Sequence, residues 1–209
     1  MPDWPQLGAF IAAGLLLNVT PGPDVLYIVG RSLSQGRLAG VVSALGIASG
    51  SLVHVAAATF GLSTLILSLP LAYDTVRLAG AAYLVWMGIH AIRSRSSDLR
   101  VQAMAATPLG VIFRQGMVTN VLNPKVALFF LAFLPQFTDA LRGPLAPQFL
   151  LLGVIFIANG LLVCLGYALA ASWFGGWLTA RYVVHTWLNR AVGALFVGLG
   201  VRLALGGRR

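Results

Sequence analysis

The chain has 209 residues, of which 58% are hydrophobic and only 9% are charged. Because a soluble domain carries about 25% charged residues, this composition and a mean hydropathy of +0.87 exclude an ordinary soluble protein and indicate an integral membrane protein. The formal net charge of +9 would suit a nucleic-acid partner. The arginines lie at the ends of apolar segments, however, so we expect no nucleic-acid binding and interpret the charge as topology information.

Six long apolar segments follow one another along the chain, and none alternates like the strands of a barrel. We predict transmembrane helices at about residues 7–29, 39–67, 76–92, 111–134, 149–171 and 188–205. Most of them reach the roughly 20 residues that cross about 30 Å of hydrocarbon. The predicted fold class is therefore an all-α integral membrane protein with six transmembrane helices, and one membrane domain covers residues 1–209.

The first and fourth segments are broken at proline motifs. The first contains Thr20-Pro21-Gly22-Pro23-Asp24, and the fourth contains Asn123-Pro124-Lys125. A proline inside a helix removes a backbone hydrogen bond and clashes with the preceding turn. Within lipid the freed backbone groups need protein or water as partners, so such breaks occur where they line a cavity. Paired broken helices in the two halves of a chain are typical of a transporter's substrate site.

The two halves of the chain share sequence patterns. An Arg-x-x-Gly-Ala pattern opens the third segment at Arg77 and the sixth at Arg190, and an Asn-Val pair precedes each break, at Asn18 and at Asn120. Each half holds three segments, so the second half enters the membrane from the opposite side. We therefore predict two inverted three-helix repeats, the architecture of many secondary transporters. The repeats cover about residues 1–102 and 103–209.

Arginines are distributed unevenly between the two ends of the segments. One end carries a single acid, Asp98, with Arg31, Arg37, Arg93, Arg95, Arg100, Arg114, Arg181 and Arg190. The other carries Asp3, Asp74 and Asp139 with Arg77, Arg142, Arg202, Arg208 and Arg209. Because arginine-rich loops stay in the cytoplasm, we predict that the first set is cytoplasmic and that both termini lie outside. The arginines at the C-terminus favour the opposite orientation.

Four motifs carry a resemblance to a known family. They are Thr20-Pro21-Gly22-Pro23-Asp24, Ala79-Gly80-Ala81-Ala82-Tyr83-Leu84-Val85-Trp86-Met87-Gly88, Asn123-Pro124-Lys125 and Phe133-Leu134-Pro135-Gln136-Phe137. Over nearly the whole chain they resemble the lysine-exporter (LysE) superfamily, in its RhtB-like homoserine/threonine efflux branch. The resemblance implies a six-helix, multi-pass protein of the bacterial cytoplasmic (inner) membrane. It also implies export of amino acids or close derivatives, driven by the proton motive force.

Two ionisable residues lie inside the broken segments. Lys125 is the only lysine in the chain, and a charge at the bilayer centre costs about 2.5–3.5 kcal/mol on insertion scales, so we expect a partner for it. Asp24 is the only acid well inside a segment. We predict that Asp24 and Lys125 face each other across the repeat interface and serve transport. The alternatives are a purely structural ion pair and a Lys125 side chain that snorkels to water.

The breaks also predict how a substrate is held. Half-helices that begin after Pro23 and Pro124 present unpaired N–H groups and the positive end of a helix dipole, which suits a substrate carboxylate. The predicted substrate and coupling residues are Thr20, Pro21, Gly22, Pro23, Asp24, Asn123, Pro124 and Lys125. Polar side chains at the breaks alternatively only cap freed backbone groups. For Asn123, bonding of the substrate ammonium and capping of the helix are equally favoured, whereas for Asn18 capping is favoured.

Proton coupling needs a group that titrates during the transport cycle. Asp24 is the first candidate, because burial and a neighbouring lysine favour opposite protonation states of a carboxyl. His54 is a possible proton relay, since histidine titrates near neutrality, although a hydrogen-bonded packing residue is the more common role. Gly46 and Gly50 form a Gly-x-x-x-Gly pattern that predicts a helix-packing face.

Other functions fit the sequence less well. A divalent metal-ion exporter needs clustered Asp, Glu, His or Cys ligands, whereas this chain has five acids, three scattered histidines and one cysteine, so no metal site is predicted. An intramembrane protease would have to use Ser49 and His54, which share one helix; we predict neither enzyme activity nor a cofactor. A structural membrane protein without transport is a further alternative.

The predicted function is a secondary transporter that exports small amino acids or amino-acid derivatives from the cytoplasm by proton antiport. Its partners are an amino-acid-like substrate, protons and the lipid bilayer. The sequence leaves a homo-oligomer open. A neutral substrate is favoured over a dibasic one, because Asp24 is the one acid available within the membrane to meet a cationic side chain.

Overall fold

The computed structural model describes residues 2–62, 70–93, 106–178 and scattered residues between 190 and 205. Within those ranges the chain forms helices joined by short turns, and no strand occurs there. Three predicted features lie outside the described residues: the end of the second segment, the boundary between the two repeats near residue 102, and half of the sixth segment.

The first two helices belong to the first half of the chain. α1 covers Trp4–Val19, and α2 covers Pro23–Ala56 and continues as a π-helical stretch, Ala57–Leu62. α2 turns sharply at Gly36, where φ is 81° and ψ is −178°, a conformation that glycine adopts without steric cost. The turn falls between the predicted first and second segments. The predicted first segment therefore corresponds to α1 together with the beginning of α2.

The remaining helices follow after residue 69. They are α3 (Pro70–Arg93), α4 (Leu109–Val121), α5 (Pro124–Leu128) and α6 (Leu145–Leu178). α5 continues as a π-helical stretch, Phe129–Phe133, and a 3-10 stretch, Leu134–Phe137, and a short 3-10 turn follows at Ala140–Arg142. The axis bends by 46° between α4 and the segment Pro124–Phe137.

Length and composition identify the helices that can cross a membrane. In the described part of the chain, Pro23–Leu62 and Leu145–Trp173 are long and apolar enough, and the bent pair around residues 122–123 adds a third span if it is counted as one. α1 is a shorter apolar helix. Large apolar side chains such as Leu52 and Leu162 are exposed on the outer surface, as expected for an all-helical protein surrounded by lipid.

Small residues allow α2 and α4 to approach each other closely. A methyl group added at Gly50 would lie 2.6 Å from the carbonyl oxygen of Met117, and one added at Gly116 would lie 2.8 Å from that of Ser43. Gly46 faces the carbonyl oxygen of Phe113 in the same way. The predicted packing face at Gly46 and Gly50 is therefore confirmed, and it brings the two backbones together as small residues do in membrane helices.

An aromatic cluster joins α1, α6 and the segment that continues α5. Ring centroids of neighbouring pairs lie 4.7–6.0 Å apart. Its members are Phe10, Phe129, Phe130, Phe133, Phe137 and Phe156, and all of them are buried. Leu17, near the end of α1, and Val126, near the start of α5, belong to the same buried cluster. The cluster therefore fixes the first break against the second.

Candidate functional site

The first break separates α1 from α2. Thr20 caps the end of α1: its Oγ1 donates to the Leu16 carbonyl oxygen at 2.6 Å, and its N–H lies 3.2 Å from the carbonyl oxygens of Leu16 and Leu17. α2 then begins at Pro23, which suits the first helical position because the N–H there needs no helical partner. Gly22 precedes it and supplies no side-chain cap.

The second break separates α4 from α5, which begins at Pro124. Asn123 caps α5, since its Oδ1 accepts a hydrogen bond of 3.0 Å from the backbone N–H of Lys125. Capping of α5 therefore explains the role of the Oδ1 atom of Asn123. Its Nδ2 is buried and has no hydrogen-bond partner among the described residues.

Lys125 reaches from the second break to the first. Its Nζ donates hydrogen bonds of 3.1 Å to the carbonyl oxygens of Leu17 and Thr20, at the end of α1. The side chain is buried, and a methyl group added at Gly22 would lie 3.2 Å from Nζ. The ammonium therefore lies on carbonyls at the negative end of the α1 dipole, where a cation is stabilised.

Asp24 makes the reverse connection, from the first break to the second. Its Oδ2 accepts a hydrogen bond of 2.9 Å from Nδ2 of Asn120, in the last turn of α4. The Ser51 hydroxyl donates to Oδ1 of Asn120 at 3.0 Å, so both ends of this amide are fixed. The other carboxylate oxygen, Asp24 Oδ1, is buried and has no hydrogen-bond partner among the described residues.

The two charges are thus held in a reciprocal arrangement. Asp24 and Lys125 are each the second residue of a helix that begins at a proline, and each binds the end of the helix that precedes the other break. Within the described part of the chain, no ion pair of 4.0 Å or less joins them. Their opposite charges still compensate each other in part, which lowers the cost of burying both.

Both charges line one small cavity between α1, α2, α4, α5 and α6. The other polar residues of its wall are Asn18, Ser51, Asn120 and Cys164, and its apolar residues include Val25, Ala44, Ile47, Phe156, Ile157 and Leu161. The centre of a water molecule can reach about 20 Å³ of space inside it. That volume holds about one water, so an amino acid enters only if the walls separate.

The remaining predicted site residues lie around this cavity without forming its wall. Thr20, Pro21, Gly22, Pro23, Asn123 and Pro124 build the two breaks and are not among the lining residues. His54 also lies outside the lining: its Nε2 donates to the Asn120 carbonyl oxygen at 3.1 Å, and its ring stacks on Phe130. Asn120 and Ser51 were not predicted to hold Asp24. The sequence feature that could have identified Asn120 as a site residue is its place in the Asn-Val pair that occurs before both breaks.

A polar network surrounds the buried side chain of Arg31 near the start of α4. The guanidinium of Arg31, in α2, donates to Gln35 Oε1 at 2.9 Å, Thr107 Oγ1 at 3.0 Å and Gln115 Oε1 at 2.8 Å. Tyr27 adds a hydrogen bond of 2.8 Å to the Ile112 carbonyl oxygen. These contacts join α2 to α4 and to the chain that precedes α4.

An exposed ion-pair network joins the start of α1 to the turn before α6. Arg142 lies 2.9 Å from a carboxylate oxygen of Asp3 and 3.5 Å from one of Asp139. The backbone N–H of Gln6, followed by the Arg142 guanidinium, holds the pKa of Asp3 below its ordinary value. Among the described residues, no group of three His, Cys, Asp or Glu side chains is placed to hold a metal ion.

Comparisons with known proteins identify the family. The model of the LysE type translocator family matches residues 15–207. The homoserine/homoserine lactone efflux protein of Salmonella typhimurium is 33% identical over 197 residues, which cover 94% of each chain. The leucine efflux protein of Salmonella choleraesuis is 26% identical over 196 residues, covering 93% of this chain and 92% of the relative. No solved structure gives a significant match. The chain is therefore a membrane translocator, not an enzyme, and it belongs to the LysE type translocator family.

Proposed function

We propose that this protein is a secondary transporter that exports small amino acids or amino-acid derivatives across the bacterial inner membrane in exchange for protons. The observation that carries the proposal is the cavity between the two breaks, where the buried carboxylate of Asp24 has one oxygen without a partner among the described residues. Two of its relatives are named as efflux proteins, for homoserine or homoserine lactone and for leucine. An amino acid brings the cation that this oxygen lacks.

The proposed architecture is six transmembrane helices in two inverted three-helix repeats, with the first and fourth helices broken at their prolines. The reciprocal contacts of Asp24 and Lys125 support it, because a two-fold axis in the membrane plane would exchange the two breaks. Asn18 and Asn120 occupy the same place, as the second-last residues of α1 and α4.

Helix directions provide independent support for the inverted repeats. A methyl group added at Gly88 of α3 would lie 2.5 Å from the carbonyl oxygen of Gly193, and one added at Gly200 would lie 2.8 Å from that of Ala81. Residue numbers therefore decrease along α3 as they increase along its partner, so the two helices run antiparallel. Corresponding third helices of two inverted repeats are expected to do so.

The proposed exchange follows from competition for one carboxylate. When Asp24 is ionised, its free oxygen can accept a substrate ammonium; when a proton occupies the carboxyl, the charge that attracts the ammonium is lost. Substrate and proton therefore exclude each other, which is the requirement for antiport. His54 reaches this site through the Asn120 backbone and is retained as a possible proton relay.

The proposed orientation has Arg31 on the cytoplasmic side and both termini outside. The ion pairs of Arg142 with Asp3 and Asp139 support it, since these three residues belong to the set predicted to share the opposite side. The positive-inside rule then assigns the arginine-rich set to the cytoplasm.

Flux measurements on purified protein in proteoliposomes test this function. Vesicles loaded with homoserine, homoserine lactone or leucine are exposed to an imposed pH gradient. We expect the gradient to accelerate the efflux of at least one of them. Asp24→Asn should abolish the proton-driven component, whereas Asp139→Asn, in the exposed ion-pair network, should retain it. Gradient-driven flux that survives Asp24→Asn unchanged would exclude the proposed role of this carboxylate.

A further inference from the structure

Two buried polar atoms at the cavity have no hydrogen-bond partner among the described residues. They are the carboxylate oxygen Oδ1 of Asp24 and the amide nitrogen Nδ2 of Asn18, and both residues line the same cavity. Buried polar atoms are normally hydrogen-bonded, so each one indicates where a ligand atom would be stabilised. Asp24 offers an acceptor for a cation, and Asn18 offers an uncharged donor for an oxygen atom.

The positively charged group of the site, the ammonium of Lys125, already has hydrogen-bond partners in the protein. Lys125 donates two hydrogen bonds to the carbonyl oxygens of Leu17 and Thr20, and the Gly22 backbone packs against the end of its side chain. A substrate carboxylate that took Lys125 as its main partner would compete with these carbonyls at the end of α1. The two unpartnered atoms, Asp24 Oδ1 and Asn18 Nδ2, therefore complement an ammonium and a neutral oxygen acceptor, and they do not require a second charge on the ligand.

We propose, on the basis of the function proposed above, that Asp24 recognises the α-ammonium group of the substrate and Asn18 recognises its carbonyl oxygen. The substrate class is then the small α-amino carbonyl compounds, in which the carbonyl belongs to a free acid, an amide, an ester or a lactone. An amide N–H donates to all of these oxygens. Lys125 acts as the structural cation of the first break and does not read the carboxylate.

The wall next to Asn18 limits the substrate side chain. Gly160 of α6 lies beside Asn18, because a methyl group added there would be 3.3 Å from Nδ2. The apolar part of the cavity lining includes Ala44, Ile47 and Leu161. A charged side chain placed against these residues would be buried without a partner, which is costly. The site therefore suits small substrates with an uncharged side chain.

Matched ligands test the proposal on the wild-type protein, so that no variant has to fold. Leucinamide lacks the carboxylate charge of leucine, and N-acetyl-leucine lacks its ammonium charge and carries an additional acetyl group. Binding is measured by isothermal titration calorimetry of the purified protein in detergent micelles. Transport of the same ligands is measured as counterflow in proteoliposomes. We expect leucinamide to bind within about threefold of leucine and N-acetyl-leucine to bind at least about tenfold more weakly, since it lacks a charged hydrogen-bond donor.

Variants then separate the two recognition roles. Asn18→Leu should weaken acid and amide by the same factor, at least about threefold. Asn159→Leu is the matched control, because Nδ2 of Asn159 is also buried without a partner among the described residues but lies outside the cavity lining. It should leave both affinities within about twofold.

The outcomes distinguish this inference from the proposed function. If leucine is bound and transported but leucinamide binds more than about tenfold more weakly, the protein recognises the charge of the carboxylate. This result would overturn the inference and leave the proposed export function standing. Tight binding of N-acetyl-leucine would overturn the role of Asp24. Neither binding nor flux for any α-amino compound, the homoserine pair included, would overturn the export function together with the inference.

Discussion

Replacing Lys125 by methionine should destabilise the protein through a loss that can be estimated from its contacts. The ammonium donates two hydrogen bonds of 3.1 Å, to the carbonyl oxygens of Leu17 and Thr20, and hydrogen bonds to charged groups contribute about 1.5–3 kcal/mol each. The variant also leaves the buried carboxylate of Asp24 without the nearby positive charge that partly compensates it, which is unfavourable although the two groups form no direct ion pair. Because these losses overlap, we expect the free energy of unfolding to fall by about 3–5 kcal/mol.

The measurement is reversible unfolding in mixed micelles, followed by tryptophan fluorescence, with counterflow in proteoliposomes as the functional readout. The double variant Lys125→Met with Asp24→Asn removes both charges. It should be about 1–2 kcal/mol more stable than Lys125→Met, because no uncompensated charge is left buried, yet it should not transport, because Asp24 is absent. A Lys125→Met protein within about 1 kcal/mol of wild type, or a double variant no more stable than the single one, would refute this account.

Two further predictions concern packing and pH. Gly50→Ala should lower the free energy of unfolding by about 1–3 kcal/mol and reduce flux, because the added methyl group would lie 2.6 Å from a backbone oxygen of α4. The control is Gly8→Ala, at an exposed position where the added methyl group has no neighbouring atom within 4 Å, and it should have no such effect. Equal melting temperatures of the two variants would contradict the packing argument. The N–H of Gln6 and the guanidinium of Arg142 lower the pKa of Asp3 in the folded protein. The ionised carboxylate of Asp3 therefore stabilises the fold fully above the ordinary carboxyl pKa of about 3.9. This stabilisation is lost as the pH falls through the lower pKa that Asp3 has in the folded state. Asp3→Asn should therefore lose less stability than wild type between pH 7 and pH 3 in detergent thermal melts; identical pH profiles would refute the assignment.

The positions at which helices begin and pack could be predicted from sequence, because they depend on local backbone chemistry. α2 and α5 begin at Pro23 and Pro124, where the missing N–H has no helical partner to lose. The close approach at Gly46 and Gly50 follows from their spacing, which places two residues without side chains on one helix face.

The partners of the two buried charges could not be derived in the same way. The hydrophobic pattern of a sequence assigns a residue to a segment. Every residue has the same backbone carbonyl, however, so the amino-acid sequence could not indicate that Lys125 binds carbonyl oxygens at the end of α1. Asp24 and Lys125 were predicted to face each other across the repeat interface; they line one cavity, but their hydrogen-bond partners are Asn120 and the carbonyl oxygens at the end of α1. The sharp turn at Gly36 falls in the polar gap between the first two predicted segments. Its glycine was not singled out, because a glycine in such a gap has many possible roles.

The reciprocal contacts explain why opening of the cavity should depend on what occupies it. Separating α2 from α4 breaks the hydrogen bond between Asp24 and Asn120 and leaves an ionised carboxylate buried without a donor, which is unfavourable. A substrate ammonium or a proton removes that cost, because either one satisfies or neutralises the carboxylate. We expect Lys125 to stay on the carbonyl oxygens at the end of α1 and to hold the first break together during this change. We therefore expect an empty, ionised site to change its access from one side of the membrane to the other only rarely, and a site loaded with substrate or a proton to do so readily. This dependence on occupancy is what converts competition for one carboxylate into exchange.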